Sequence, residues 1–124
     1  MSTRVLVVDD HPVVRGGLVG WLDAQPDLTV VGEASDGLEA LAMVASLAPD
    51  VVLMDLRMPR MDGVAAIERL AATHPGVRVL VLTTYDTDAD IVRAVAAGAT
   101  GYLLKDLLQA DLVRAVHAAA RGTP

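Results

Sequence analysis

The stretch VVLMDLRMPRMDG, Val51 to Gly63, decides the fold. Val51–Met54 is a short, purely apolar run, as expected of a strand buried on both faces in a parallel sheet covered by helices. The run ends at Asp55. Pro59 cannot extend a strand ladder, and Gly63 tolerates backbone angles closed to other residues. Asp62 is placed to cap a following helix that carries Ile67 and Leu70. Residues 51–63 therefore predict a strand, a rigid turn and a helix start, in that order.

The same grammar repeats on both sides. Val5–Val8 is a valine/leucine run ending in Asp9 and Asp10, Thr29–Glu33 is a weaker run, Val79–Leu82 ends in Thr83, and Gly101–Leu104 ends in Lys105. Helical spacing lies between them. Val14, Leu18, Trp21 and Leu22 follow Pro12, which suits a first helical turn. Asp36 with Glu39 forms a capping-box pattern ahead of Leu38, Leu41 and Val44. Thr87 or Asp88 is placed to cap a helix carrying Ile91, Val92 and Val95, which Gly98 closes. Asp106 with Gln109 is placed to cap the last helix, whose apolar face is Leu112, Ala115, Val116 and Ala119. Five strand–helix units without a linker or repeat predict one α/β domain over 1–124, a parallel sheet with helices on both faces.

Composition agrees and excludes other classes. The 124 residues suffice for one sizeable core. Hydrophobic residues make up 53% and charged residues 21%, which excludes a disordered chain. Phe is absent, with one Trp and two Tyr, and the apolar content is dominated by Ala, Val and Leu, as suits β-branched strands and alanine-faced helices. Without cysteine there is neither a disulfide framework nor a thiolate metal site. No apolar run reaches signal-peptide or membrane-span length, so a cytoplasmic location is expected. The net charge of −6, with ten Lys and Arg forming no basic run, repels a nucleic-acid backbone.

Parallel sheets bind ligands beyond the carboxyl ends of their strands. Asp9, Asp10, Asp55, Thr83 and Lys105 all fall on that rim. Singly each is ordinary, since Asp caps helices, Thr ends strands and Lys is solvated on surfaces. Together they are three carboxylates, one hydroxyl and one ammonium. Like charges so placed repel unless a cation or proton intervenes. Oxygen ligands without Cys or His at ligand spacing point to Mg²⁺, with Mn²⁺ as a substitute. A divalent ion and a lysine would let a carboxylate attack an anionic phosphorus, and the product is an aspartyl phosphate.

The segments VLVVDDHPVVRGGL (5–18), VVGEASDGLEAL (30–41), VVLMDLRMPRMDG (51–63), VLVLTTYD (79–86) and AGATGYLLKD (97–106) resemble response regulator receiver domains, specifically the NarL/LuxR branch. The resemblance covers essentially the whole chain. It implies a doubly wound (βα)5 fold in the flavodoxin-like strand order 2-1-3-4-5. It further implies Asp55 as phosphoacceptor, Asp10 as a direct metal ligand, Asp9 acting through water, and the Arg57 backbone carbonyl as another ligand. Thr83 matches the switch hydroxyl, Lys105 the phosphoryl-pairing lysine and Tyr102 the aromatic switch. Arg57 and Tyr85 match the positions that tune phosphoryl lifetime. Implied partners are a sensor histidine kinase, a second copy of the chain after phosphorylation, and DNA through a helix-turn-helix domain beyond residue 124. The chain departs from many receivers in having Asp106, not proline, after Lys105, so a trans peptide is expected there. His11 is expected to be a partly exposed loop residue, His74 and His117 bystanders, and Trp21 a core or interface anchor.

Three other readings stay open at this point. A haloacid dehalogenase-type phosphohydrolase also uses an Asp nucleophile, but places its two acids two apart after the first strand. A flavodoxin-like cofactor binder shares the topology, yet DDHP is acidic where phosphate must sit. A phosphorylation-independent interaction module keeps the fold without the chemistry.

Overall fold

The computed structural model describes residues 2–83, 88–105 and 109–122. Strands and helices alternate: β1 (Thr3–Val8), α1 (Pro12–Asp23), β2 (Leu28–Ala34), α2 (Gly37–Leu47), β3 (Val51–Asp55), α3 (Gly63–Thr73), β4 (Arg78–Thr83), α4 (Asp88–Ala97), β5 (Gly101–Leu104) and α5 (Gln109–Ala120). The five strands are parallel in the order β2-β1-β3-β4-β5, as the resemblance implied. Successive strands are added on opposite sides of β1, β2 on one and β3 on the other, so the ends of β1 and β3 open onto the topological switch point.

Alternate residues of the central strands feed two separate cores. Leu6, Val8, Val52, Met54 and Val81 pack beneath α2, α3 and α4 with Val44, Ile67, Leu70 and Ala94. Val5, Val7, Leu53, Leu80 and Leu82 pack beneath α1 and α5 with Leu18, Leu22, Leu112 and Val116. The period of two in a strand sends successive side chains to opposite faces, so an unbroken apolar run serves both.

Helix starts follow local chemistry. Pro12 opens α1 at a position whose missing N–H costs nothing. The Asp36 carboxylate accepts from the Glu39 N–H at 2.9 Å, and Asp62 accepts from the Ala65 N–H at 2.9 Å. The capping box at α2 is displaced by one residue. Glu39 reaches back to the Ser35 N–H and hydroxyl instead of the Asp36 N–H. Gly98, with φ +124°, lies just past the end of α4 as expected. The expected caps Thr87 and Asp106, and the Lys105–Asp106 peptide, lie outside the described residues.

Several helix faces differ from the expectation. Of the α1 set, Leu18 and Leu22 are buried, whereas Val14 and Trp21 are 38% and 40% exposed. In α2, Ala40 and Val44 face the sheet while Leu38 faces out. In α4, Ile91 and Ala94 are buried, and Val92 and Val95 are exposed. These helices carry apolar residues on more than one side, and only the sheet decides which side it covers.

Candidate functional site

The carboxyl rim brings the sequence-predicted residues together. β1 ends immediately before Asp9, β3 ends on Asp55, β4 ends on Thr83 and β5 ends immediately before Lys105. Asp9, Asp55 and Thr83 are all buried. The Lys105 N–H donates to the Thr83 carbonyl at 2.8 Å, tying the end of β5 to the end of β4. That places the Lys105 ammonium 2.8 Å from Asp9 Oδ2 and 3.2 Å from Asp55 Oδ2. Asp9 is itself anchored: its N–H donates to the Ala34 carbonyl, its own carbonyl accepts from Arg15 Nη1 at 2.8 Å, and its Oδ1 accepts from the His11 N–H at 2.9 Å.

Charge in this pocket is incompletely balanced. Burial pushes the Asp55 carboxyl above its ordinary pKa; Lys105 opposes the shift, Asp9 reinforces it, and the Arg57 backbone N–H acts against it. Lys105 moves upward too: burial acts to lower it, but the contact with Asp9 and the charge of Asp55 outweigh burial. Two buried oxygens, Asp9 Oδ2 and Asp10 Oδ1, receive no hydrogen bond of acceptable geometry. Lys105 is close to the first, yet its approach satisfies charge and not direction. Buried acceptors are normally satisfied, so this pair is suited to a cation. Asp9, Asp10, His11 and Asp55 each offer a donor atom, and these atoms lie within 4.8 Å of one another. The residues present fit a hard divalent ion.

The turn after β3 is held by contacts that the sequence did not reveal. Gly63 donates to the Leu56 carbonyl at 2.8 Å, and Gly37 donates to the Met61 carbonyl at 2.9 Å. Gly63 is not there for an unusual backbone angle, as its sequence suggested; the positive φ in the turn belongs to Arg60, at 64°. Gly63 is required by closeness: a Cβ there would lie 2.5 Å from the Asp55 carbonyl oxygen and 2.8 Å from Leu56 Cα. Arg60 Nε donates to Asp36 Oδ2 at 2.7 Å, and a second guanidinium nitrogen pairs with the same oxygen. Asp36 thus serves twice, capping α2 and gripping the turn. The Glu39 N–H, against the opposing effect of burial, and the Arg60 guanidinium hold its carboxyl below the ordinary range.

The remaining predicted residues lie around the pocket. Arg57 is exposed, and its guanidinium pairs with Asp90 of α4 at 2.7 Å. Tyr102 of β5 is 47% exposed, so its ring stands outward. Tyr85 lies outside the described residues. His11 is exposed as expected, but its Nδ1 is 3.2 Å from Asp9 Oδ1 and 3.1 Å from Asp10 Oδ1. His117 Nε2 is 3.1 Å from Asp27 Oδ2, connecting α5 to the turn before β2, away from the pocket. His74 Nδ1 is 2.9 Å from the Thr73 hydroxyl at the end of α3.

A doubly wound α/β domain with a lysine-bridged acidic pocket at its switch point defines a class, and the chain belongs to the response regulator receiver domain family, which matches residues 5–117. Its relatives are regulators of the NarL/LuxR type. The chain is 44% identical over 121 residues to the transcriptional regulatory protein LiaR of Bacillus subtilis, covering 98% of this chain and 57% of that protein. It is 42% identical over 118 residues to the nitrate/nitrite response regulator protein NarL of Escherichia coli, covering 95% of this chain and 55% of that one. The signal receiver domain of the response regulator NarL from Mycobacterium tuberculosis superimposes with a TM-score of 0.94 at 40% identity, covering 98% of both chains. The chain spans about half the length of the curated relatives it matches.

Proposed function

We propose that Asp55 accepts a phosphoryl group from a phosphohistidine of a sensor kinase and that the resulting charge switches the domain. The observation that carries this reading is the pairing of Asp9 and Asp55 with one ammonium, with Asp10 in the same acidic cluster and Asp55 at the end of the central strand. An Asp55 carboxylate oxygen attacks phosphorus, the P–N bond breaks, and the imidazole leaves with the bonding pair and takes a proton. The Lys105 ammonium pairs with the transferred group, and the Thr83 hydroxyl donates to one of its oxygens. Asp10, Asp55 and the Arg57 backbone carbonyl would hold Mg²⁺ directly, with Asp9 acting through water and Mn²⁺ as a substitute. When bound, the ion neutralises the charge of the approaching anions. The domain is not a turnover enzyme; its chemistry is limited to its own phosphorylation and dephosphorylation.

As Thr83 turns toward the phosphoryl group, Tyr102 fills the space it leaves. This resets the surface of α4, β5 and α5, a population shift typically worth about 1–3 kcal/mol. Exposed Val92, Val95 and Tyr102 on one side, and Val13, Val14 and Trp21 of α1 on the other, supply apolar area for self-association. Arg57 and Tyr85 tune phosphoryl lifetime by hindering the attacking water. DNA is reached through a helix-turn-helix domain beyond residue 124, and the setting is the cytoplasm. Among the described residues, no helix is long and apolar enough to cross a membrane.

Acetyl phosphate or beryllofluoride with Mg²⁺ tests the reading. With acetyl phosphate the expected result is one labile acyl-phosphate equivalent by intact mass, and with either reagent a shift to dimer, both lost in Asp55→Asn. An unmodified wild-type protein would overturn it. Arg57→Ala is expected to lose phosphate faster than wild type, and an unchanged rate removes Arg57 from lifetime control.

A further inference from the structure

We propose that His11 is an additional metal ligand, so that this pocket takes nitrogen-accepting divalent ions such as Mn²⁺, Co²⁺ and Ni²⁺ in a mixed imidazole–carboxylate set. The inference rests on the metal-dependent reading above and specifies which ions that site accepts.

The geometry is that of neighbouring ligands on one ion. Two donors at right angles on an octahedral ion with bonds of about 2.1 Å lie about 3.0 Å apart. His11 Nδ1 stands 3.1 Å from Asp10 Oδ1 and 3.2 Å from Asp9 Oδ1. The contact with Asp10 is no hydrogen bond, because Asp10 Oδ1 is buried and accepts none. A ring nitrogen and an unsatisfied carboxylate oxygen therefore face the same space at ligand spacing. A second buried oxygen, Asp9 Oδ2, also lacks a hydrogen bond and belongs to a residue 1% exposed.

His11 Nδ1 is hydrogen-bonded to Asp9 Oδ1 at 3.2 Å, a contact that a shared ion would replace. The His11 backbone caps α1 in an extended conformation at φ −96°, while its side chain makes no capping bond. The ring is 64% exposed, so swinging it onto an ion costs little packing. Imidazole scarcely favours Mg²⁺, which prefers oxygen and keeps its waters, but strengthens sites for later first-row ions. His11 would thus leave Mg²⁺ affinity nearly unchanged while raising that for Co²⁺ and Ni²⁺. The other two histidines lie elsewhere, His74 at the end of α3 and His117 against Asp27.

Pulsed electron paramagnetic resonance of the Mn²⁺-loaded protein reads this directly. Wild type is expected to show imidazole ¹⁴N modulation that is absent in His11→Ala. Calorimetry with Co²⁺ and Ni²⁺ is expected to show a tenfold or greater loss of affinity in His11→Ala, with Mg²⁺ affinity changed by less than twofold. Absence of nitrogen modulation in wild type, or its persistence in His11→Ala, overturns the proposal. So does an equal loss for Mg²⁺ and Ni²⁺, which marks a merely structural role. Beryllofluoride binding with Mg²⁺ separates this from the underlying reading. Binding without nitrogen modulation overturns only the His11 assignment, whereas absence of both overturns the metal-dependent phosphoacceptor as well.

Discussion

Replacing Asp55 with Asn is expected to stabilise the metal-free domain while destroying its chemistry. Burial is the largest influence against the ionised carboxylate, and Asp9 adds to it. With facing oxygens within 4.8 Å, the Asp9–Asp55 repulsion is about 3.5 kcal/mol at an effective dielectric of about 20. Lys105, 3.2 Å away, returns about 5 kcal/mol on the same scale, but it is shared with Asp9 at 2.8 Å. Burial, with Asp9 beside it, tips the balance against the charge, and screening at the open mouth reduces every contribution. A net gain of about 1–2 kcal/mol for Asp55→Asn follows, or about 3–8 °C in Tm for a domain of this size. The pH dependence supplies a second reading. Asp55 has a raised folded pKa, so the native state keeps a proton that the unfolded chain has released. Its contribution to stability is therefore most favourable at low pH and falls as pH rises from about 3.8 through the folded value. The advantage of Asn should be full above that range and shrink toward 3.8. Urea denaturation in chelator at several pH values measures both. Mg²⁺ at a hundred times its Kd should add about 2.7 kcal/mol to wild type and far less to the variant. A variant less stable than wild type in chelator would refute the reasoning, because Asp55 would then behave as an ordinary salt-bridged acid.

Lys105→Met leaves Asp9 and Asp55 facing each other without their shared cation. Metal-free stability should fall by about 2–3 kcal/mol in urea, and adding Asp55→Asn should recover part of the loss. Mg²⁺ affinity, followed by calorimetry, should weaken as pH falls through the raised pKa of Asp55, because proton and metal compete for the same oxygens; a flat profile from pH 4 to 7 counts against Asp55 as a ligand. Gly63→Ala should cost about 2 kcal/mol or more, although alanine is the better helix former by about 1 kcal/mol. The added Cβ meets main-chain atoms of Asp55 and Leu56, which cannot yield as a side chain would. A neutral or stabilised Gly63→Ala variant in thermal denaturation removes the close-approach argument.

Much of the architecture was legible because its signals are local. An unbroken apolar run such as Val51–Met54 must be buried on both faces, and three such runs with two weaker ones, alternating with helical spacing, leave little besides a covered parallel sheet. The rim residues followed from that topology, since Asp9, Asp55, Thr83 and Lys105 each sit at a strand end. Helix faces were less legible. Val92 and Val95 have the same spacing as buried residues, but the sheet meets α4 through Ile91 and Ala94.

By itself the sequence determined which chemical groups stand on the rim, because strand period and strand ends are written in neighbouring residues. Only the tertiary structure decided how those groups are held. Asp36 and Arg60 are 24 positions apart, yet they clamp the turn beside Asp55. Gly37 meets Met61 across two elements. Gly63 is a matter of distance and not of torsion, and His11 faces the acids instead of open solvent alone. The first three depend on through-space approach between segments, and the last on the fold of one short loop; no local periodicity encodes either.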